Sequence, residues 1–246
     1  RAVALPAPTP AIDAAPELPR SCDDVKDCEQ QCRAGRGAAC TTAARNYRLG
    51  WTTVTNSELA ATLDEQGCAL GELESCIEGG IAIADGPDTT QRHRATAMFV
   101  RGCKLGSTRA CGLRAYNLAH GYGEPANPKL GAALLQKACD AKDTLACWHL
   151  AFLYRKGIGV AADPAREYAL LVATCELDDA GSCSEAGTMA IRGEGIRTDV
   201  EHGKALLQKG CDHGSRMACR RLAKQVRGCK ETCRLDPDCT KLGCTR

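Results

Sequence analysis

The residues of this 246-residue chain best equipped for chemistry are its eighteen cysteines. Metal ligation, thiol redox work and disulfide cross-linking compete for them. Zinc sites present ligands two to four residues apart in paired clusters. Twelve of the cysteines instead stand eight apart: Cys32/Cys40, Cys68/Cys76, Cys103/Cys111, Cys139/Cys147, Cys175/Cys183 and Cys211/Cys219. No Cys-x-x-Cys occurs, so haem-attachment and thioredoxin-type motifs are missing. A dense, even cysteine complement belongs in an oxidising compartment, where disulfides persist. No metal and no cofactor are expected.

The five histidines, His93, His120, His149, His202 and His213, stand at unrelated phases of the cysteine spacing. They assemble no His/Asp/Ser constellation, so a catalytic role is assigned to no residue. The formal charge is +2, from 32 basic and 30 acidic residues, which argues against a dedicated nucleic-acid or membrane-surface protein. No run of 18 apolar residues is present to span a membrane.

The elements that must hold these cysteines follow from their period. Successive pairs are separated by 36, 35, 36, 36 and 36 residues, the signature of a repeat solenoid. Twelve residues before each first cysteine stand Asn56, Gln91, Asn127, Asp163 and Asp199, four of them good N-caps. Pro128 and Pro164 follow at the first helical position. Each first cysteine therefore closes a three-turn helix B, with core pairs at Met98/Phe99, Leu134/Leu135, Leu170/Leu171 and Leu206/Leu207.

Helix A begins near each second cysteine. Its fourth following residue is always small, Ala44, Gly80, Ala115, Ala151, Gly187 or Ala223, as close helix approach requires. It ends at Gly50, Gly86, Gly121, Gly157 or Gly193, suited to a left-handed C-cap. Each cysteine pair then spans the corner from helix B to the next helix A, where the two side chains meet. Each closed loop contributes roughly 2–3 kcal/mol by the chain-entropy model, which offsets a core with only 4% aromatic residues.

The ends differ from the middle. Residues 1–20 carry prolines at 6, 8, 10, 16 and 19 and form an extended arm. Arg1 in place of Met fits an exported product freed of its leader, or a trimmed chain. Ser21 with Asp24 resembles a capping box, which predicts a helix from about Cys22 to Arg33. In such a helix Cys22 and Cys28 would stand about 9 Å apart, beyond disulfide reach. Either the helix starts later or these two pair elsewhere, another chain included. In residues 227–246, a Cys-rich cap, nested Cys229–Cys244 and Cys233–Cys239 bridges are favoured, which leaves Cys22–Cys28.

Leu150-Ala151, Tyr154-Arg-Lys-Gly157-Ile-Gly159-Val160, Asp163-Pro164 and Tyr168 together resemble the Sel-one-like repeat, a tetratricopeptide variant. Gly193-Glu-Gly195-Ile196 repeats the signature well and His120-Gly121-Tyr-Gly123 less well. The segments after Cys40 and Cys76 depart from it. With a disulfide in every repeat, the chain is similar to the secreted Helicobacter cysteine-rich protein family. The resemblance spans about residues 22–226 and implies an all-α, α/α-hairpin solenoid coiled as a right-handed superhelix.

Such repeats mostly serve as interaction scaffolds, an implication of fold analogy. Some members of the cysteine-rich family are described as binding or slowly hydrolysing penicillin-type compounds, which makes a weak penicillin-binding or β-lactamase-like enzyme the competing expectation. No serine here has a lysine three residues later, and Ser-Asp-Asn and Lys-Thr-Gly are absent, so no catalytic residue carries over.

Mapped onto the tetratricopeptide groove, Ile81, Tyr116, Trp148 and Phe152 line the concave face, with Arg45, Arg48, Arg155 and Arg192 around them. An aromatic patch with a basic rim suits an extended or proline-rich peptide. The array, residues 21–226, opens on an unpaired helix B and closes on an unpaired helix A. Copies could therefore join head-to-tail into a filament, with the arm docking on a neighbour. The expected partners are proteins or peptides, other copies included, in a secreted, periplasmic or cell-surface setting.

Overall fold

The computed structural model describes residues 22–51 and 53–225, and every regular element among them is helical. The arm of residues 1–20 and the cap of residues 227–246, with the Cys229–Cys244 and Cys233–Cys239 pairings, lie outside the described residues. The chain divides between Glu72 and Leu73 into two compact units.

The first unit holds α1 (Val25–Arg33), α2 (Gly37–Leu49) and α3 (Ser57–Ala69). Helix α1 begins later than the capping box implied. Its cap is Asp24, whose carboxylate accepts from the backbone N–H groups of Lys26 and Asp27 at 2.8 and 2.9 Å. The later start leaves Cys22 outside the helix, free to approach Cys28 to a Cα–Cα distance of 5.0 Å and bridge to it. Cys32–Cys40 staples the α1–α2 corner at 4.6 Å, and Cys68 is disulfide-bonded as well. Cys28, Cys32, Cys40, Ala43, Ala44, Ala60 and Leu63 form the core.

The second unit opens with a π-helical stretch, Ser75–Gly79, running into α4 (Gly80–Ala84), then a 3₁₀ turn at Thr89–Gln91. Regular hairpins follow: α5 (Arg92–Lys104), α6 (Thr108–His120), α7 (Pro128–Asp140), α8 (Thr144–Lys156), α9 (Pro164–Glu176), α10 (Ala180–Arg192) and α11 (Val200–Asp212). Helix α12 (Arg216–Gln225) is last. Asn127, Asp163 and Asp199 cap their helices as expected.

The repeat after Cys76 differs on two counts. Gly86 does not adopt positive φ, and α4 ends on Asp85 in ordinary helical geometry. Gln91 caps nothing with its side chain; the Asp88 carboxylate accepts from Thr90 N–H instead. A carboxylate is the stronger acceptor for helix-end N–H groups, so Asp88 wins the role.

Cys103–Cys111, Cys139–Cys147, Cys175–Cys183 and Cys211–Cys219 close successive corners at Cα–Cα distances of 4.5–4.7 Å, and Cys76 is also disulfide-bonded. The small position of helix A is buried in Ala115 and Ala151. At Gly80 a Cβ would lie 2.5 Å from the Phe99 ring, so glycine is required there.

The Gly-x-Gly signature has a packing cause. Gly157 and Gly193 are left-handed C-caps. The second glycines, Gly159 and Gly195, also have positive φ, and a Cβ on either would lie 2.1 Å from a carbonyl oxygen, of Pro128 and Pro164 respectively. Each such loop therefore lays its bare backbone on the first turn of the preceding helix B. That contact locks neighbouring hairpins together.

Candidate functional site

Helices α6 and α8 present their side chains at i, i+3, i+4 and i+7 on one face. On α6 this face carries Arg109, Leu113, Tyr116 and His120; on α8 it carries Leu145, Trp148, His149 and Phe152. The rings meet across the two helices. Tyr116 stacks on His149 with centroids 4.1 Å apart and touches His120 at 4.3 Å. Trp148 lies 6.4 Å from Phe152, and Phe152 lies 6.1 Å from His120. Tyr122, in the loop after α6, stacks on His120 at 5.3 Å.

A buried relay holds Tyr122 in place. Asn117 Nδ2 donates to Thr96 Oγ1, and Thr96 Oγ1 donates to the Tyr122 carbonyl, both at 2.8 Å. The Arg92 guanidinium then lies 4.4 Å above the Tyr122 ring, a cation–π contact.

Between these groups opens a cleft of about 500 Å³, walled by Tyr116, Tyr122 and His149, floored by Ile81, Leu113 and Leu145, and flanked by Arg92, Arg109 and Asp85. Its size falls within the range of ligand sites, and its lining mixes apolar and aromatic side chains with polar ones. His149 is only 8% exposed, and its Nδ1 has no hydrogen-bond partner. Burial, with the neighbouring His120 charge second, lowers its pKa to about 4, so the ring is neutral at physiological pH. Burial likewise raises the Tyr116 pKa, helped by Tyr122. No serine, threonine, cysteine or lysine lines the cleft, so it offers stacking faces and hydrogen-bond donors and no side-chain nucleophile of those types. Among the described residues no three His, Cys, Asp or Glu side chains gather as a metal site requires.

Of the groove residues expected from the sequence, Ile81 and Tyr116 line this cleft, and Trp148 and Phe152 continue its ring array. The arginines divide. Arg155 is held in ion pairs by Glu167 and Glu185, and Glu185 also accepts from Trp148 Nε1 at 3.3 Å. Arg192 lies at a different cleft, of about 600 Å³, with Arg220, Arg221 and Lys224, and its own contact with Glu194 is exposed. Arg45 and Arg48 belong to the first unit, where Arg48 pairs with the buried Asp64.

Sequence reasoning missed His149, Tyr122, Arg92 and Arg109. One signal was available: Arg109, Leu113 and Tyr116 fall on a single helical face with a ring at its end.

The Sel1 repeat family matches residues 109–143, 144–170 and 181–215. Among solved structures, a Sel1 repeat protein from Oxalobacter formigenes is 16% identical over 90% of this chain and 93% of its own, with a TM-score of 0.66. The c5321 protective antigen of uropathogenic Escherichia coli, described as having an SLR fold, is 16% identical over 89% of this chain, also at 0.66. This chain spans about half of that antigen's length, 49%. Cysteine rich protein B of Helicobacter pylori is 23% identical over 55% of this chain and 96% of its own, with a TM-score of 0.43. No curated protein matches the chain.

Repeats of this kind generally serve as protein-interaction scaffolds and are generally non-catalytic. The disulfides require an oxidising environment, and no helix among the described residues is long and apolar enough to cross a membrane. Three Sel1 repeats thus lie between residues 109 and 215, on an all-helical, disulfide-stapled frame shared with solved Sel1-repeat structures.

Proposed function

We propose that this protein is an exported interaction scaffold whose aromatic cleft on α6 and α8 binds extended segments of protein partners. The observation that carries the proposal is a mismatch inside the cleft. Arg109 and the Tyr116 and Tyr122 hydroxyls donate to no protein group among the described residues, while Asp85 is the one acid in the lining. Donors left open beside stacked rings suit a backbone that brings carbonyl oxygens and apolar or proline side chains. The setting that fits is secreted, periplasmic or cell-surface, where the corner disulfides survive.

Binding of a panel of twelve-residue proline-containing peptides to the full-length protein, measured by calorimetry, tests this. Micromolar binding that weakens in an Arg109→Glu variant is expected. An Arg109→Glu protein that binds every peptide as the wild type does would refute the cleft assignment. Saturable hydrolysis of nitrocefin would overturn the scaffold reading in favour of the β-lactamase-like one.

Head-to-tail assembly belongs to the same reading. Among the described residues the first helix is α1 and the last is α12, and in this reading a neighbouring copy's helix packs against each. Residues 21–226 would be the assembling array, residues 1–20 its arm and residues 227–246 its cap. Electron micrographs of native material showing only monodisperse single particles would remove the filament.

A further inference from the structure

Residues 8–19 read Pro-Thr-Pro-Ala-Ile-Asp-Ala-Ala-Pro-Glu-Leu-Pro. We infer that the aromatic cleft of one copy takes this segment from a second copy, an inference that rests on the cleft being a peptide site. Three complementarities carry it.

The first is hydrogen bonding. Pro8, Pro10, Pro16 and Pro19 have no backbone N–H yet keep their carbonyls, so the segment is rich in acceptors. The cleft offers the reverse, two guanidinium groups and two tyrosine hydroxyls against the single carboxylate of Asp85. The second is charge. Asp13 and Glu17 are the only ionisable side chains in the segment, opposite in charge to Arg92 and Arg109 of the lining. The Arg92 guanidinium lies over the Tyr122 ring, a cation that an incoming carboxylate can pair with.

The third is shape. A proline-rich chain arrives already in the extended polyproline form and loses little entropy on docking against rings. The rings here are fixed in advance by the Tyr116–His149 stack and the Thr96 relay. Ile12 and Leu18 supply apolar side chains for the floor of Ile81, Leu113 and Leu145. Taking the donor as a second copy makes the contact intermolecular, so it predicts self-association, which an arm seated in its own cleft would not give.

Sedimentation of the full-length chain tests the inference. Wild type self-associates as concentration rises. Arg109→Glu, and separately Asp13→Lys with Glu17→Lys, each weaken association about tenfold or more. Arg109 is exposed and unpaired, so an unchanged thermal unfolding curve shows that its variant folds; Arg109→Ser gives the same loss without a new charge. An equimolar mixture of the two charge-reversed proteins regains association, because lysine-bearing arms now meet a glutamate-bearing cleft.

Wild type that stays monomeric, variants that associate like wild type, or a mixture that does not recover would each overturn the inference. If the proline-peptide panel binds through Arg109 while the arm substitutions change nothing, this inference falls and the peptide site stands. If neither effect appears, both fall.

Discussion

Burial of a neutral histidine inside the ring cluster makes stability depend on pH in a defined window. His149 titrates at 6.5 in an exposed chain and at about 4 in the fold, because protonation would place a charge in a desolvated ring stack beside His120. Above pH 6.5 both states are neutral at this site and its contribution is fully present. Between 6.5 and 4 the unfolded chain takes up a proton that the folded chain refuses, so stability falls with pH. Integrated down to pH 4, the loss is about 3 kcal/mol, a large part of a domain's total.

Carboxylates also titrate there, so the informative quantity is a difference. His149→Phe keeps a ring against Tyr116 and removes the titration. Urea unfolding of both proteins with disulfides intact, followed at pH 7.5, 6, 5 and 4, should show wild type losing about 3 kcal/mol more than the variant. Parallel stability profiles would show that His149 is hydrated or paired in the native state, and the closed ring stack would be refuted.

Gly195→Ala forces a Cβ to 2.1 Å from the Pro164 carbonyl at positive φ and should cost more than about 4 kcal/mol. Gly106→Ala, at φ 95° with nothing within 4 Å, should cost only about 1–2 kcal/mol; comparable urea midpoints for the two would refute the packing role of the second glycine. Removing the Cys139–Cys147 staple as a double serine variant opens an eight-residue loop and should cost about 2.5 kcal/mol, read as a shift in denaturant midpoint under non-reducing conditions. Arg155→Met strands the nearly buried Glu167 and should cost about 2 kcal/mol or more, whereas Arg192→Met should stay within about 0.5 kcal/mol.

The frame was legible because its devices are local. A cysteine pair eight apart, an Asn or Asp cap twelve residues earlier and a glycine at the helix end each act within one corner, so spacing alone displays them. Even the misplaced start of α1 is a local error, since Asp24 caps the helix at its own first turn. The site was legible only in part because it is assembled between helices. Tyr116 and His149 come from successive repeats, and no single helix shows that they stack. Nor does composition tell a free arginine from a held one. Arg155 looks like a rim cation until Glu167 and Glu185, 12 and 30 residues away, close on it.

The division between local frame and assembled site explains how one repeat can carry different recognition chemistry along its length. Corner disulfides, caps and Gly-x-Gly loops recur because each stabilises its own hairpin and the next. None of them uses the position five residues after the second cysteine. That position reads Arg45, Ile81, Tyr116, Phe152, Thr188 and Lys224, with no common chemistry. A side chain relieved of structural duty can change without unfolding the repeat, so rings collect on α6 and α8 while Arg220, Arg221 and Lys224 gather at the cleft of α10 and α12. The aromatic cleft and the basic one are therefore separable. Substitutions such as Arg109→Glu should alter the first and leave both the frame and the second cleft as they are, an independence expected of sites that share only a scaffold.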